Sequence, residues 1–162
     1  MREIIIEEQD DKEGLESLYV RRANYYETDK MGIIHHSNYI RWFEEARLHY
    51  MEEMGWPFTK VEAMGIIIPV LSVDCQYKSM VRYDDIVDIY TKITKFSGVR
   101  MTIGYRVLDS ETGELRCTGE TTHCFLNGDY KPVRMKREYP ELYEVFMSHV
   151  AVKNVPIQAT RD

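Results

Sequence analysis

The feature that most constrains this chain is a change in the spacing of its apolar residues near residue 65. Before that point, six apolar residues recur at intervals of three and four, the period of one helix face. They are Tyr39, Trp42, Phe43, Ala46, Tyr50 and Met54. After it, apolar and polar residues alternate for about sixty residues, which is the period of half-buried β-strands. The two periods together predict an α+β fold with one helix packed against one sheet.

The predicted helix spans about 38–54, because Gly55 suits a left-handed helix end and Pro57 cannot continue a helix. An early run ending near Tyr26 and four later alternating runs predict five strands, the later ones at about 71–77, 87–93, 101–107 and 115–126. Short connections predict antiparallel neighbours. A sheet with open edges also predicts a homo-oligomer, either a homodimer or a homotetramer.

Composition excludes several classes of protein. The chain has 162 residues and a net charge of -6, which disfavours nucleic acid as a partner. Its longest apolar run, 66–71, is short and contains Pro69, so we expect no membrane span, and the acidic start does not resemble a secretory signal. Three separate cysteines without a CxxC pair predict free thiols, no metal site and a cytoplasmic location.

The segment 25–39 is where chemistry is expected. It places Asp29, His35 and His36 just before the predicted helix, whose first N–H groups Ser37 or Asn38 could cap. A helix N-terminus presents free N–H donors and a positive dipole end, which can stabilise an oxyanion formed beside it. No Ser or Cys nucleophile adjoins Asp29 and no GxSxG motif occurs, so a mechanism based on a carboxylate is left.

The same segment carries a specific resemblance. Tyr25-x-Glu27-Thr28-Asp29-x-Met31-Gly32-Ile33-Ile34-His35-His36-x-Asn38-Tyr39 closely resembles the active-site signature of hotdog-fold acyl-CoA thioesterases of the 4-hydroxybenzoyl-CoA thioesterase-like family. The resemblance continues at 43–47, 83–85 and 119–125 and covers about 18–137. We therefore expect an N-terminal extension at 1–17, a hotdog thioesterase domain at 18–137, and a C-terminal helix and tail at 138–162.

The resemblance implies a five-stranded antiparallel sheet wrapped around a long central helix, and hydrolysis of an acyl-CoA thioester without a cofactor. It assigns the catalytic carboxylate to Asp29, as nucleophile or general base, the histidine at the helix start to His36, and a supporting tyrosine to Tyr25. Without it, Asp29 could simply satisfy N–H groups of its own loop, and His36 could simply pack at the helix start. Glu27 is expected to be structural or solvated, and His123 to be a packing or surface residue.

Binding of coenzyme A by an acidic protein would require a local concentration of cations for its phosphates. The densest basic stretch contains Arg134 and Lys136, and Lys95 and Arg100 flank the predicted turn at 96–99. These four residues are the predicted substrate-binding set, although a run of charges is commonly just a solvated face.

Three other functions remain open at this point. A thioesterase acting on acyl carrier protein would use the same catalytic residues with a larger basic docking surface. A hotdog-fold hydratase would add water to an enoyl double bond without releasing a thiol. A non-catalytic acyl-CoA-binding protein would bind its ligand without turnover.

Overall fold

A computed structural model describes residues 16–150, so residues 1–15 of the predicted N-terminal extension and 151–162 of the predicted tail lie outside it. In chain order the described elements are β1 (Ser17–Arg22), a 3-10 turn (Tyr25–Glu27), α1 (Ser37–Glu53), α2 (Phe58–Ala63), β2 (Val70–Tyr77), β3 (Ile86–Phe96), β4 (Arg100–Asp109), β5 (Leu115–Cys124), α3 (Met135–Glu138) and α4 (Pro140–His149). The order confirms the predicted α+β class.

The five strands form one antiparallel sheet in the order β1-β3-β4-β5-β2. The connection from β2 to β3 therefore runs from one edge of the sheet to the strand next to the opposite edge. Both β1 and β2 are edge strands of the described sheet. The strand β2 pairs with β5 along its whole length but leaves its other side open, and every residue of β2 except Cys75 is exposed.

The helix α1 packs one face against β1, β2 and β3. As predicted, Trp42, Phe43, Ala46 and Tyr50 are buried on that face, which confirms the helix-in-sheet arrangement of the hotdog fold. Full burial of each large apolar side chain contributes roughly 1.5–3 kcal/mol to the free energy of unfolding. This face is therefore what fixes α1 on the sheet.

A side chain of α1 packs tightly over Gly119 of β5. A Cβ atom at this position would lie 2.4 Å from a ring carbon of Phe43, far inside van der Waals contact. The Phe43 ring is stacked on Tyr105 of β4, with centroids 4.3 Å apart and an interplanar angle of 13°. The absence of a side chain at Gly119 thus sets how deeply the helix sits.

The two ends of the sheet carry different connecting segments. At one end, β1 leads into the 3-10 turn and the start of α1, and β2 finishes at Tyr77, opposite Cys117 of β5. At the other end, β2 begins at Val70, opposite His123, and residues 97–99, within the turn predicted at 96–99, join β3 to β4. Among the described residues, no helix is both long enough and apolar enough to cross a membrane.

Candidate active site

Glu27 anchors the segment between β1 and α1. Its carboxylate is only 3% exposed and accepts hydrogen bonds from Arg21 Nη1 at 2.8 Å, Trp42 Nε1 at 2.7 Å and the Asn24 N–H at 2.8 Å. Arg21 also donates through Nη2, at 3.1 Å. A buried carboxylate with this many donors is structural rather than reactive, as the sequence predicted for Glu27.

A second carboxylate, Asp29, lies in a tight turn two residues later. Its N–H donates to the carbonyl of Ile33 at 2.8 Å, and its carbonyl accepts from the N–H of Gly32 at 3.0 Å. Gly32 has φ +79°, a conformation that glycine adopts without strain. One side-chain oxygen, Oδ1, accepts from the Met31 N–H at 2.8 Å. Within residues 16–150 the other carboxylate oxygen of Asp29 accepts no hydrogen bond. The side chain is half-buried, and this oxygen is available to a ligand.

The start of α1 is capped in a way that differs from the prediction. The expected caps, Ser37 and Asn38, are wrong, because both residues already lie inside the helix. Instead the Ser37 N–H donates to His35 Nδ1 at 3.2 Å, and the Asn38 N–H donates to the His35 carbonyl at 2.9 Å. The Asn38 side-chain amide donates to the Glu27 carbonyl at 2.9 Å. The N–H of His36 donates to no acceptor in the described part of the chain.

Asp29 and His36 line the same open cavity, whose volume is about 360 Å³. The remaining lining residues are Met31, Ile33, Ile34, Tyr39, Tyr77, Lys78, Ser79 and Met80. Tyr77 closes one side, with its hydroxyl donating to the His36 carbonyl at 3.0 Å. The structure thus brings together two of the three predicted catalytic residues. It adds Tyr77, the last residue of β2, and Lys78, which follows it, and the sequence did not single out either residue for this site.

Tyr25 occupies a different place from the cavity. Its side chain is 76% exposed, and its ring stands edge-on to Tyr83, with centroids 5.5 Å apart. Its main-chain carbonyl accepts hydrogen bonds from the N–H and the hydroxyl of Thr28, the residue before Asp29. The single chain therefore does not bring the Tyr25 ring to Asp29.

The predicted substrate-binding cations lie at the opposite end of the sheet from Asp29. Arg134 and Lys136 line a separate cavity of about 400 Å³, together with the turn at 97–99. Lys95 and Arg100 are exposed on the strands that enter and leave this turn but do not line the cavity. Because β2 runs between the two ends over seven residue steps, the separation is about 23 Å. Within one chain none of the four cations lines the Asp29 cavity.

A further cavity, of about 380 Å³, is lined by residues of α1, α2, α4 and the sheet. His123 lines it and is only 2% exposed, so of the two predicted alternatives, a packing or a surface residue, the surface one is wrong. Its Nε2 lies 2.8 Å from the Thr121 hydroxyl, which is 2.7 Å from the Tyr105 hydroxyl, and Arg47 donates to Tyr105 at 3.0 Å.

Burial, helped by the positive charge of Arg47, lowers the pKa of His123 to about 4. The Pro69 carbonyl favours the protonated ring and opposes part of this shift, but Nδ1 makes no hydrogen bond in the described structure. His123 is therefore neutral at pH 7. Among residues 16–150, no group of three or more His, Cys, Asp or Glu side chains is arranged to hold a metal ion.

Comparisons with known proteins agree with this geometry. A dihydroxynaphthoyl-CoA (DHNA-CoA) thioesterase from Staphylococcus aureus superposes with a TM-score of 0.78 at 36% identity, covering 82% of this chain and 89% of that one. An Aquifex aeolicus protein, described provisionally as an esterase, is 34% identical over 125 residues, 77% of this chain and 95% of its own. The acyl-CoA thioester hydrolase YbgC of Escherichia coli is 26% identical over 90 residues, 56% of this chain and 67% of its own. A family model described as the thioesterase-like superfamily matches residues 24–153. The chain therefore belongs to the thioesterase-like superfamily and is a thioester hydrolase with the hotdog fold.

Proposed function

We propose that the protein hydrolyses acyl-CoA thioesters, with Asp29 as nucleophile or general base. One observation carries this proposal: a carboxylate oxygen of Asp29 and the N–H of His36, both without partners in the described chain, belong to residues that line one cavity. Thioester hydrolysis needs a group that attacks or activates water, and a donor for the developing oxyanion. Relatives named for CoA thioesters support CoA as the carrier of the acyl group.

The proposed mechanism divides the work between charge and dipole. Asp29, held through Oδ1 by the Met31 N–H, uses its other oxygen to attack the thioester carbonyl or to take a proton from an attacking water. Negative charge then moves onto the carbonyl oxygen, where the His36 N–H and the positive end of α1 stabilise it. Collapse of the tetrahedral intermediate expels CoA as a thiolate. If Asp29 is the nucleophile, water then cleaves the resulting anhydride.

We assign the predicted supporting tyrosine, Tyr25, to the rim of the site. Its exposed ring beside Tyr83 favours contact with the CoA part of the substrate rather than with the reacting carbonyl. We therefore expect Tyr25→Phe to change KM more than kcat.

Pairing of two chains through β2 would reconcile the distant cations with the Asp29 cavity. The outer edge of β2 is unpaired in the described structure, and the strand has exposed apolar side chains, which are Val70, Leu71, Val73 and Tyr77. In a two-fold antiparallel pair, the start of one β2 lies beside the end of the other. Arg134 and Lys136 of a second copy would then approach the Asp29 cavity, where they could bind the CoA phosphates. We propose a dimer of this kind as the active unit, with Lys95 and Arg100 adding charge around the same turn.

The test of the activity is a thiol-release assay over a panel of acyl-CoAs, run with Asp29→Asn and the matched control Asp85→Asn. Asp85 is also a loop carboxylate that accepts one main-chain N–H, from Arg82 at 2.9 Å, but it does not line the cavity. We expect thiol release to fall at least about 10²-fold in Asp29→Asn and to persist in Asp85→Asn.

Other outcomes would replace the proposal. Turnover of acyl carrier protein thioesters alone would favour the carrier-protein thioesterase, and 3-hydroxyacyl-CoA without thiol would indicate a hydratase. Binding without turnover would leave a non-catalytic acyl-CoA-binding protein.

The predicted cytoplasmic location stays a prediction.

The test of the dimer combines charge reversal with light scattering. Arg134→Glu and Lys136→Glu should raise KM for acyl-CoA with little change in kcat. Lys131→Glu removes a cation of the same stretch that does not line the cavity at the turn, so it should have the smaller effect. An active monomer at the assay concentration would contradict the proposed dimer.

A further inference from the structure

Two cysteines from neighbouring strands meet beside the Asp29 cavity. The Sγ atoms of Cys75, on the edge strand β2, and Cys117, on β5, lie 3.2 Å apart. They occupy diagonal positions in the antiparallel pair, since Cys75 is opposite Gly119 and Cys117 is opposite Tyr77. This contact joins residues 42 positions apart in the sequence and has no role in the proposed hydrolysis.

The two thiols differ in exposure and in acidity. Cys75 is half-buried at the open edge of the sheet, whereas Cys117 is fully buried. A hydrogen bond from Cys117, reinforced by Tyr77, lowers the pKa of the Cys75 thiol to about 7, and the same contact together with burial raises the pKa of Cys117. The thiolate is the form that reacts with oxidants, so Cys75 is the attacking group and Cys117 is the thiol that resolves.

We propose that Cys75 and Cys117 form an oxidisable dithiol, a modification site at which a peroxide converts the two thiols into a disulfide between β2 and β5. In the first step the Cys75 sulfur attacks one peroxide oxygen, which gives a sulfenic acid and releases water or an alcohol. In the second step the Cys117 sulfur attacks the sulfenic sulfur and releases water. The peroxide is reduced by two electrons, and the two thiols lose two hydrogens in forming one S–S bond.

The bridge would act on the active site through Tyr77. The two sulfurs must approach by more than 1 Å to reach the S–S bond length of about 2 Å. Tyr77 is two residues from Cys75 on the same face of β2, and it donates to the His36 carbonyl at 3.0 Å. Moving β2 toward β5 therefore disturbs the wall of the cavity and the peptide segment that holds the proposed oxyanion donor. This effect on turnover rests on the proposed function, but formation of the bridge does not.

Pairing of two chains through β2 does not require the contact between Cys75 and Cys117 to break. Such pairing uses the main-chain groups on the outer side of the strand, in the plane of the sheet. The Cys75 side chain instead packs against the core on the same side as the buried Cys117. The thiol contact and the proposed dimer therefore use different atoms of the same strand.

The test treats the purified full chain with hydrogen peroxide, blocks the remaining thiols and maps the peptides by mass spectrometry. We expect a linked Cys75–Cys117 peptide pair with the loss of two hydrogens, a fall in acyl-CoA turnover of about tenfold, and recovery of both after a thiol reductant. Cys124→Ser, which removes the third thiol, should behave like the unmodified sequence. Cys117→Ser and Cys75→Ser should form no bridge.

Several results would overturn the proposal. A bridge that includes Cys124, or oxidation of Cys75 while Cys117 stays free, would overturn the dithiol itself. A Cys75–Cys117 bridge that leaves turnover unchanged would overturn its effect on the active site. Asp29→Asn separates this proposal from the proposed function, because it should lose turnover yet still form the bridge. If no acyl-CoA is hydrolysed by any variant, the proposed function fails while the peptide map still decides whether the dithiol exists.

Discussion

Glu27 and Asp29 are carboxylates two residues apart with opposite surroundings. Glu27 is buried and receives hydrogen bonds from β1, α1 and its own turn. The Asp29 carboxylate accepts one hydrogen bond, from the Met31 N–H of its own loop, and its other oxygen has no partner in the described chain. A carboxylate saturated by donors stabilises the fold, whereas one with spare acceptor capacity can bind or react. The short segment from 27 to 29 thus contains an anchor followed by a free group, and the anchor fixes where the free group lies.

The comparison predicts that the two carboxylates differ most in their contribution to the free energy of unfolding. Glu27→Ala leaves the guanidinium of Arg21 and the N–H of Trp42 without their buried acceptor, so we expect a loss of about 4 kcal/mol in urea denaturation. Glu45→Ala is the matched control, since Glu45 also accepts from Arg21 but is half exposed, and it should cost less than about 1 kcal/mol. Equal losses in the two variants would show that Glu27 is not the anchor.

The next prediction concerns how the free energy of unfolding depends on pH. This dependence must be known before the effect of pH on the activity of Asp29 is interpreted. The pKa of His123 is lowered by burial to about 4, so unfolding takes up a proton between the ordinary histidine pKa of about 6.5 and about 4. The unfolded state binds more protons in this range, so stability falls with falling pH, by up to about 3 kcal/mol.

The measurement is the midpoint of urea unfolding between pH 7 and pH 4 for the unmodified chain and for His123→Gln. The variant keeps a polar group beside Thr121 but cannot titrate, so its stability should depend less on pH in this window. His49→Gln, at a half-exposed histidine paired with Glu53, is the control. Identical pH dependence in all three proteins would contradict a neutral, buried His123.

A smaller effect is expected when one donor of the anchor is removed. Trp42→Phe deletes the Nε1–H that Glu27 accepts at 2.7 Å, and we expect the free energy of unfolding to fall by about 1–2 kcal/mol. Trp56→Phe is the control, because Trp56 is only partly buried and the Lys60 ammonium lies over its ring, 3.8 Å from the centroid. A larger loss in Trp56→Phe would place the weight on packing rather than on the buried acceptor.

The smallest effect on stability should be that of Asp29→Asn. The amide oxygen of asparagine can still accept the Met31 N–H, so we expect thermal and urea unfolding to change by less than about 0.5 kcal/mol. Stability retained together with lost turnover would complete the contrast with Glu27. A loss comparable to that of Glu27→Ala would instead make Asp29 a structural residue of its loop.

Local spacing carried most of the fold prediction. The helix was expected at about 38–54 and lies at Ser37–Glu53, and the four later strands begin and end within a few residues of their predicted positions. The resemblance to hotdog thioesterases correctly identified the family, the fold and the class of enzyme. Both successes depend on patterns that lie within short stretches of sequence.

Contacts between distant segments could not be read from the same patterns. The pairing of β2 with β5 brings Tyr77 and Lys78 to the start of α1, and no local signal indicates that pairing. For the same reason the sequence could not show that Arg134 and Lys136 lie at the opposite end of the sheet from Asp29. The helix cap failed for a related reason, since the side chain of Asn38 is held by the Glu27 carbonyl. The roles of Asp29, His36 and Tyr25 stay predictions.

The missing side chain at Gly119 has a mechanical consequence for the site. Phe43 of α1 rests on the sheet at Gly119, and His36 lies about 10 Å from Phe43 along the helix axis. A movement of the helix at Phe43 would therefore also displace His36. A methyl group at Gly119 would meet the Phe43 ring, so the ring or the helix would have to shift. A shift of α1 would move the proposed oxyanion donor and, through the hydrogen bonds from Trp42 and Asn38 to Glu27, would also pull on the segment that leads to Asp29. The position of the proposed oxyanion donor therefore depends partly on the absence of a Cβ atom at Gly119 of β5.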